Sequence, residues 1–148
     1  MVTVRRAGTP DLDRMVALLQ ALFTLEADFA VDGDKQRRGL QLLLEDERAC
    51  LLVAEAESGV IGMCSGQLVI STAEGGPALL VEDVVIDESF QGRGVGRLLM
   101  DELQNWAATN NATRLQLLAD RSNTPALDFY RRLGWQDTDL ICLRTYVS

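Results

Sequence analysis

Apolar and polar positions change period several times along this chain, and each change marks an element. Residues 2–7, VTVRRA, alternate as a short strand. Thr9-Pro10-Asp11 carries a helix-start signature: Thr9 as cap, proline at the first helical position and an early acid. Leu12, Met15, Val16, Leu19, Leu22 and Phe23 follow helical spacing and form one buried stripe. The period is lost over 25–34, LEADFAVDGD, which reads as a loop, and returns over 34–46 with Leu40, Leu43 and Leu44 on one helical face. Two apolar runs, 50–57 and 60–70, flank Ser58-Gly59 as a hairpin. After a turn at 71–77, residues 78–87 predict a fourth strand.

Beyond a glycine-rich stretch, Val95, Leu98, Leu99, Leu103 and Trp106 recur at helical spacing, so a helix runs to about 109. Residues 113–119 predict a fifth strand. Asn123-Thr124-Pro125 opens a short helix, with Thr124 as cap, that stops at Gly134. WQDT and LICLRTYV close the chain as two strands joined by a tight turn near Asp139. This order gives an early antiparallel hairpin followed by a βαβ crossover, whose strands are parallel. The expected fold is α/β: one domain, 1–148, with a mixed antiparallel/parallel sheet of about six or seven strands flanked by helices.

Composition narrows the chemistry. The chain has 148 residues, 47% of them apolar, and a formal net charge of −8, which fits a soluble domain with a substantial core. That charge argues against a nucleic-acid partner, which needs Lys and Arg against phosphates. It suits a cationic substrate and also serves solubility. No apolar run approaches the roughly 18–20 residues of a membrane span, and no apolar segment follows the arginines near the N-terminus, so the expected location is cytoplasmic. The chain has no histidine, which excludes Ser-His-Asp and Cys-His catalysis and His-ligated zinc. Cys50, Cys64 and Cys142 sit in strand-like apolar runs without CxxC spacing, so they read as small buried hydrophobes and no metal is expected.

The glycine-rich stretch is Gln91-Gly92-Arg93-Gly94-Val95-Gly96-Arg97, set between a strand and a helix. Free N–H groups at a helix N-terminus favour an anion, and glycines let a phosphate approach the backbone. Arg93 and Arg97 add charge-assisted hydrogen bonds. A dinucleotide fingerprint would need glycine at 97, and a Walker A loop would need a following lysine and hydroxyl. What remains is Q-x-x-G-x-G, met by Gln91, Gly94 and Gly96.

This loop, preceded by a strand bearing a carboxylate and followed by N-x-x-A-x-x-F-Y-x-x-x-G-W over 123–135, resembles the GNAT superfamily of acyl-CoA-dependent N-acetyltransferases. The element order agrees over nearly the whole chain. The resemblance implies acetyl-CoA as co-substrate and an amine acceptor. It implies that residues 91–97, Gln91, Gly92, Arg93, Gly94, Val95, Gly96 and Arg97, receive the pyrophosphate, and that the backbone of Val84, Val85 and Ile86 bonds the pantetheine arm as an added strand would. That use requires the fourth and fifth strands to splay, often through a bulge in the fourth. Asn123 matches a position that contacts CoA and is also a turn residue.

Two catalytic assignments accompany the resemblance. Tyr130 matches the tyrosine that protonates the departing thiolate; a phenol of pKa about 10 remains protonated at neutral pH beside a thiol of about 8.5. Glu82 matches a glutamate that takes the proton of the attacking amine, directly or through water. Strand alternation sets Glu82, Val84 and Ile86 on one face and Asp83 and Val85 on the other. A carboxylate in this apolar run is expected to have a raised pKa, as a base near neutrality needs. Asp83 is the alternative base or an acceptor-binding group. In the family the segment between the first two helices and the 71–77 turn line the acceptor pocket, which brings in Phe23 and Phe29 as walls, while Glu26, Asp28, Asp32 and Asp34 suggest a cationic acceptor, either a small amine or a basic protein group, or serve as a solvated acidic loop. Family members often form homodimers, with LICLRTYV as a candidate interface strand. The rival reading is a non-catalytic acyl-CoA-binding or regulatory module with the same fold; a nucleotide-binding domain is weakened by Arg97 and the missing P-loop lysine.

Overall fold

A computed structural model of the chain describes residues 1–25 and 32–147. They form two compact units, Met1–Leu117 and the residues from Leu118 onward. The first unit holds β1 (Thr3–Arg6), α1 (Leu12–Leu25), α2 (Gly33–Glu45), β2 (Ala49–Ala56), β3 (Gly59–Ser71), β4 (Gly76–Ile86), α3 (Val95–Thr109) and β5 (Leu115–Leu117). The strands lie in one sheet in the order β1-β2-β3-β4-β5. The first three pairings are antiparallel, and β4–β5 is parallel because α3 carries the chain back across the sheet.

Strand alternation splits the core between the two faces. On one face Leu51, Val53 and Met63 pack with Leu12, Met15, Leu18 and Leu19 of α1 and Leu40 of α2. On the other, the Cys64 thiol donates to the Leu99 carbonyl of α3 at 3.9 Å. Leu79, Leu99 and Leu103 are wholly buried. Glycine in β3 permits close interleaving: a Cβ at Gly66 would lie 2.8 Å from the Leu79 side chain.

The expected first helix forms, but its start differs. The cap is Gly8, and Thr9–Asp11 make a 3₁₀ turn leading into α1. Gly8 has no side chain to cap with; the Asp11 carboxylate accepts the Gly8 N–H at 2.8 Å, the reciprocal half of a capping box. The same carboxylate takes both guanidinium arms of Arg5 at 2.9 Å, while Arg5 also meets Glu55 of β2 at 3.0 Å. Arg5 holds the Asp11 carboxyl below its ordinary range. This cluster ties β1, β2 and the start of α1 together.

In the second unit α4 (Thr124–Arg132) begins at Asn123, not Thr124: the Asn123 side chain accepts the Ala126 N–H at 3.3 Å. The helix stops at Gly134 as expected. Gly134 takes φ 94°, its N–H donates to Arg131, and Trp135 N–H donates to the Tyr130 carbonyl, both at 3.0 Å. That pair of bonds closes the helix end and requires the left-handed residue between them.

The expectation of two closing strands is not met. Residues 135–147 form no strand, so the described residues contain five strands where about six or seven were expected. Leu140, Ile141, Leu143 and Tyr146 are exposed. β propensity alone does not make a strand; a ladder with a partner does, and among the described residues this run has none. For the same reason Cys142 is exposed, against the expectation that all three cysteines are buried; Cys50 and Cys64 are. The fifth strand is also shorter than expected, three residues. Among the described residues no helix is long and apolar enough to cross a membrane.

Asp11→Asn is expected to cost about 1–2 kcal/mol in urea unfolding at neutral pH, through loss of charge-assisted hydrogen bonds. Because the folded pKa of Asp11 lies below its unfolded value, its contribution is complete above an ordinary carboxylate pKa and disappears as pH falls through the lower folded value. The stability gap between variant and wild type should therefore close in acid.

Candidate active site

The site is organised by a fault in the β3–β4 ladder. Cys64 pairs with Val84 and Gly66 with Val81, so Glu82 and Asp83 together oppose the single residue Ser65. This is a two-against-one bulge. It reverses the alternation of β4. Glu82 follows Leu80 and Asp83 precedes Val85, so both carboxylates fall on the α1/α2 face, where Val85 packs on the core. Val84 and Ile86 move to the α3 face; a Cβ at Gly62 would lie 2.9 Å from Ile86 Cδ1. The expectation that Glu82 shares a face with Val84 and Ile86 therefore fails at the bulge. Glu82 is also exposed, so the apolar enclosure expected around its carboxylate is absent, whereas Asp83 is half-buried.

β4 meets β5 only on the near side of the bulge. Their pairing covers only Leu79–Val81, opposite Leu115–Leu117. The Asp87 N–H donates to the Ile61 carbonyl at 2.7 Å, which sets the phase of the ladder: Val85 spends its peptide groups on Met63, while Val84 and Ile86 turn theirs away from β3. The Ile86 carbonyl instead accepts the Gln91 side-chain amide at 3.2 Å. Among the described residues no strand pairs with this outer edge from Glu82 to Ile86. The bulge expected in the fourth strand is present, and the β4–β5 pairing covers all three residues of β5.

The edge leads directly into the glycine loop. Asp87 caps a 3₁₀ turn, Glu88–Phe90, by accepting from Ser89, and it also binds Arg14 of α1 at 2.9 Å. These bonds hold the Asp87 carboxyl below its usual range. Gly92 and Gly94 take φ 77° and 80°, with open space where a Cβ would stand. Gly96 differs: it lies in the first turn of α3. The first intrahelical bond from this end is Leu98 N–H to Gly94 carbonyl, so the N–H groups of Val95, Gly96 and Arg97 have no intrahelical acceptor. No side chain caps this end and its first turn holds no acid, whereas α1 and α2 begin with Asp13 and Asp34. Arg93 stacks over Phe90 at 5.4 Å and Arg97 is exposed; among the described residues neither joins an ion pair. Such an arrangement can receive an anion.

Tyr130 and Asn123 belong to the second unit. Tyr130 is half-buried, with its ring edge-on to Phe129 at 5.1 Å and tilted against Trp135 at 5.6 Å. Gly134 turns the chain so that Trp135 meets the tyrosine, which gives the Y-x-x-x-G-W spacing a local cause. Asn123 serves as a helix cap.

Of the acceptor residues, Glu26, Phe29 and Asp28 lie outside the described residues. Phe23 is half-buried against the core cluster. Asp32 caps α2 by accepting the Lys35 N–H at 3.2 Å, so it has a structural task. Among the described residues no group of three His, Cys, Asp or Glu could hold a metal. Burial pushes the Cys50 thiol up to about 11 and the Cys64 thiol higher still, so neither is a nucleophile near neutral pH. Sequence reading passed over Ser65, although a hydroxyl inside VIGMCSGQLVI was a visible irregularity.

The sequence profile of the acetyltransferase (GNAT) family matches residues 13–135. The chain belongs to the GNAT family. It is 31% identical over 77 residues to a streptothricin acetyltransferase of Streptomyces lavendulae, an alignment covering 52% of this chain and 41% of that protein. The chain thus spans less than half the length of that relative. It is 20% identical over 143 residues to an aminoglycoside N(6′)-acetyltransferase type 1 of Salmonella typhimurium, covering 93% and 94% of the two chains. Its fold matches that of AAC(6′)-Iy in complex with a CoA-S-monomethyl-acetylneamine bisubstrate analogue, with TM-score 0.84, 18% identity, and 100% and 99% of the chains covered. The mixed sheet, antiparallel but for its β4–β5 pair, is thereby GNAT-like.

The two kinds of glycine in this GNAT loop separate by stability. Gly94→Ala, at left-handed φ, is expected to cost about 1–2 kcal/mol. Gly96→Ala, in helical backbone, is expected to stabilise by up to about 1 kcal/mol. Urea unfolding of the two variants checks both signs.

Proposed function

We propose that the protein is an N-acetyltransferase that moves an acetyl group from acetyl-CoA to a primary amine by direct attack in a ternary complex. The observation that carries this reading is the unpaired edge of β4 running into the uncapped start of α3. The edge offers the Val84 and Ile86 peptide groups to an amide-bearing arm, as a neighbouring strand would. The helix start offers three N–H groups, its dipole and two arginines to a pyrophosphate. One extended ligand with amides at one end and phosphates at the other satisfies both.

In this reading the acceptor is a small cationic amine. Two relatives are named for acetylating streptothricin and an aminoglycoside, and the acidic charge of this chain suits such acceptors. An amine attacks only when neutral, so a base is needed at pH 7. Glu82, exposed beside the bulge, takes that proton through water. Tyr130 returns a proton to the departing thiolate, a role carried by its motif.

The first test is thermal unfolding with acetyl-CoA, ATP and NADPH. At 100 times Kd, a ligand contributes about 2.7 kcal/mol, roughly 5–10 °C in a domain of this size. A rise with acetyl-CoA alone supports the reading, and no rise overturns it. Release of free CoA thiol is then followed across amines. Tyr130→Phe is expected to keep acetyl-CoA affinity and lower turnover. Glu82→Gln is expected to lower turnover most near neutral pH, where the amine is protonated. Binding of acetyl-CoA without thiol release to any amine would favour the non-catalytic acyl-CoA-binding module instead.

A further inference from the structure

The β3–β4 ladder ends just before the glycine loop, and a side chain continues it. Gly62 and Ile86 are the final residue pair, followed by the Asp87 N–H to the Ile61 carbonyl at 2.7 Å. Past that bond Arg14 of α1 takes over. Its Nε donates to the Val60 carbonyl and its Nη2 to Asp87 Oδ2, both at 2.9 Å. The guanidinium thus bridges the start of β3 and the residue at which the chain leaves β4. Its planar fork suits two acceptors at once. The anchor is firm, because Leu12, Met15, Leu18 and Leu19 of the same helix are buried in the core. Asp87 divides its carboxylate accordingly. Oδ2 binds α1, while Oδ1 accepts the Ser89 N–H at 3.0 Å and the Ser89 hydroxyl at 2.7 Å, forming the turn that opens the loop.

We infer that Arg14 is a positioning residue for the co-substrate: through Asp87 it fixes the direction in which the chain leaves β4, and so holds the glycine loop in register with the Val84–Ile86 edge. This rests on the acetyltransferase reading, in which one extended ligand meets the strand edge and the start of α3 together. A loop free to swing must be ordered as the ligand binds, and that ordering subtracts from affinity. Arg14 orders it beforehand. A solvent-facing ion pair such as Arg14–Asp87 adds little to overall stability, so its effect is expected in the order of the loop and not in the stability of the fold.

The test pairs calorimetric binding of CoA with amide hydrogen exchange of the free protein, for wild type, Arg14→Ala, Arg14→Lys, Asp87→Ala and the Arg14→Ala/Asp87→Ala double variant. Arg14→Ala is expected to weaken CoA binding about fivefold. It should speed exchange over residues 88–97 by about the same factor, while exchange over β2, residues 49–56, keeps the wild-type rate. Arg14→Lys keeps the charge but replaces the fork with a single ammonium, so it should match Arg14→Ala within about twofold. The double variant should match Asp87→Ala within about twofold, because Arg14 acts through that carboxylate. The Arg14 single variants carry the test if Asp87→Ala does not fold. Unchanged CoA affinity in Arg14→Ala, a lysine variant that binds like wild type, effects that multiply in the double variant, or exchange that rises over 49–56 as much as over 88–97 would each overturn the assignment while leaving acetyl transfer standing. Wild-type protein that binds no CoA overturns the acetyltransferase reading and this inference with it.

Discussion

A single extra residue in β4 is the constraint on which the site depends. In a regular sheet, peptide groups along a strand are used up by its two neighbours. Opposing Glu82 and Asp83 to Ser65 alone changes which residues face which side, and β4 pairs with β5 only as far as Val81. Among the described residues no strand takes the outward peptide groups of Val84 and Ile86. An unpaired edge usually invites aggregation. Here it is short and leads into a loop whose Gln91 side chain already covers the Ile86 carbonyl.

The second half of the site comes from what α3 lacks. In a chain of net charge −8, the other two long helices of the first unit begin with aspartates that answer the positive end of the helix dipole. At the start of α3 there are glycines and arginines instead. Positive charge at this helix end, on an acidic molecule, favours an anion there. Gly92 and Gly94 shape the approach by left-handed turns, whereas Gly96 leaves a helical turn without a side chain; the three alternate glycines answer two different physical needs.

Around these features the scaffold is held by a few polar ties that span distant segments. Arg5, Asp11 and Glu55 join the first strand, the first helix and the second strand. Arg14 donates to the Val60 carbonyl and to Asp87, fastening α1 to the point where β4 becomes the loop. The glycine loop is thus attached to the helix that covers the face on which Glu82 and Asp83 stand. Asp87 lies at the junction of both halves and is exposed enough that its bonds count for geometry more than for stability.

The helices of the first unit and the strands β1 to β4 were legible in sequence because their apolar periods are long and their turns carry glycine or aspartate. The glycine loop and the Tyr130–Gly134–Trp135 spacing were legible because each rests on local backbone geometry: left-handed φ, a free helix end, a closed helix terminus. Both caps lie one residue before the expected threonines, at Gly8 and Asn123: Asn123 takes the Ala126 N–H, and the Asp11 carboxylate binds back to the Gly8 N–H. What the sequence could not decide is what depends on a partner strand. The closing segments 135–147 have β-favouring residues, yet among the described residues they pair with no strand, and Cys142 is exposed with them. The bulge is of the same kind. Nothing within LLVEDVVI marks the break in alternation; it exists only in the register against Ser65. That register, set by packing on both faces of the sheet, determines the faces taken by Glu82 and Asp83 and the edge left open at Val84 and Ile86.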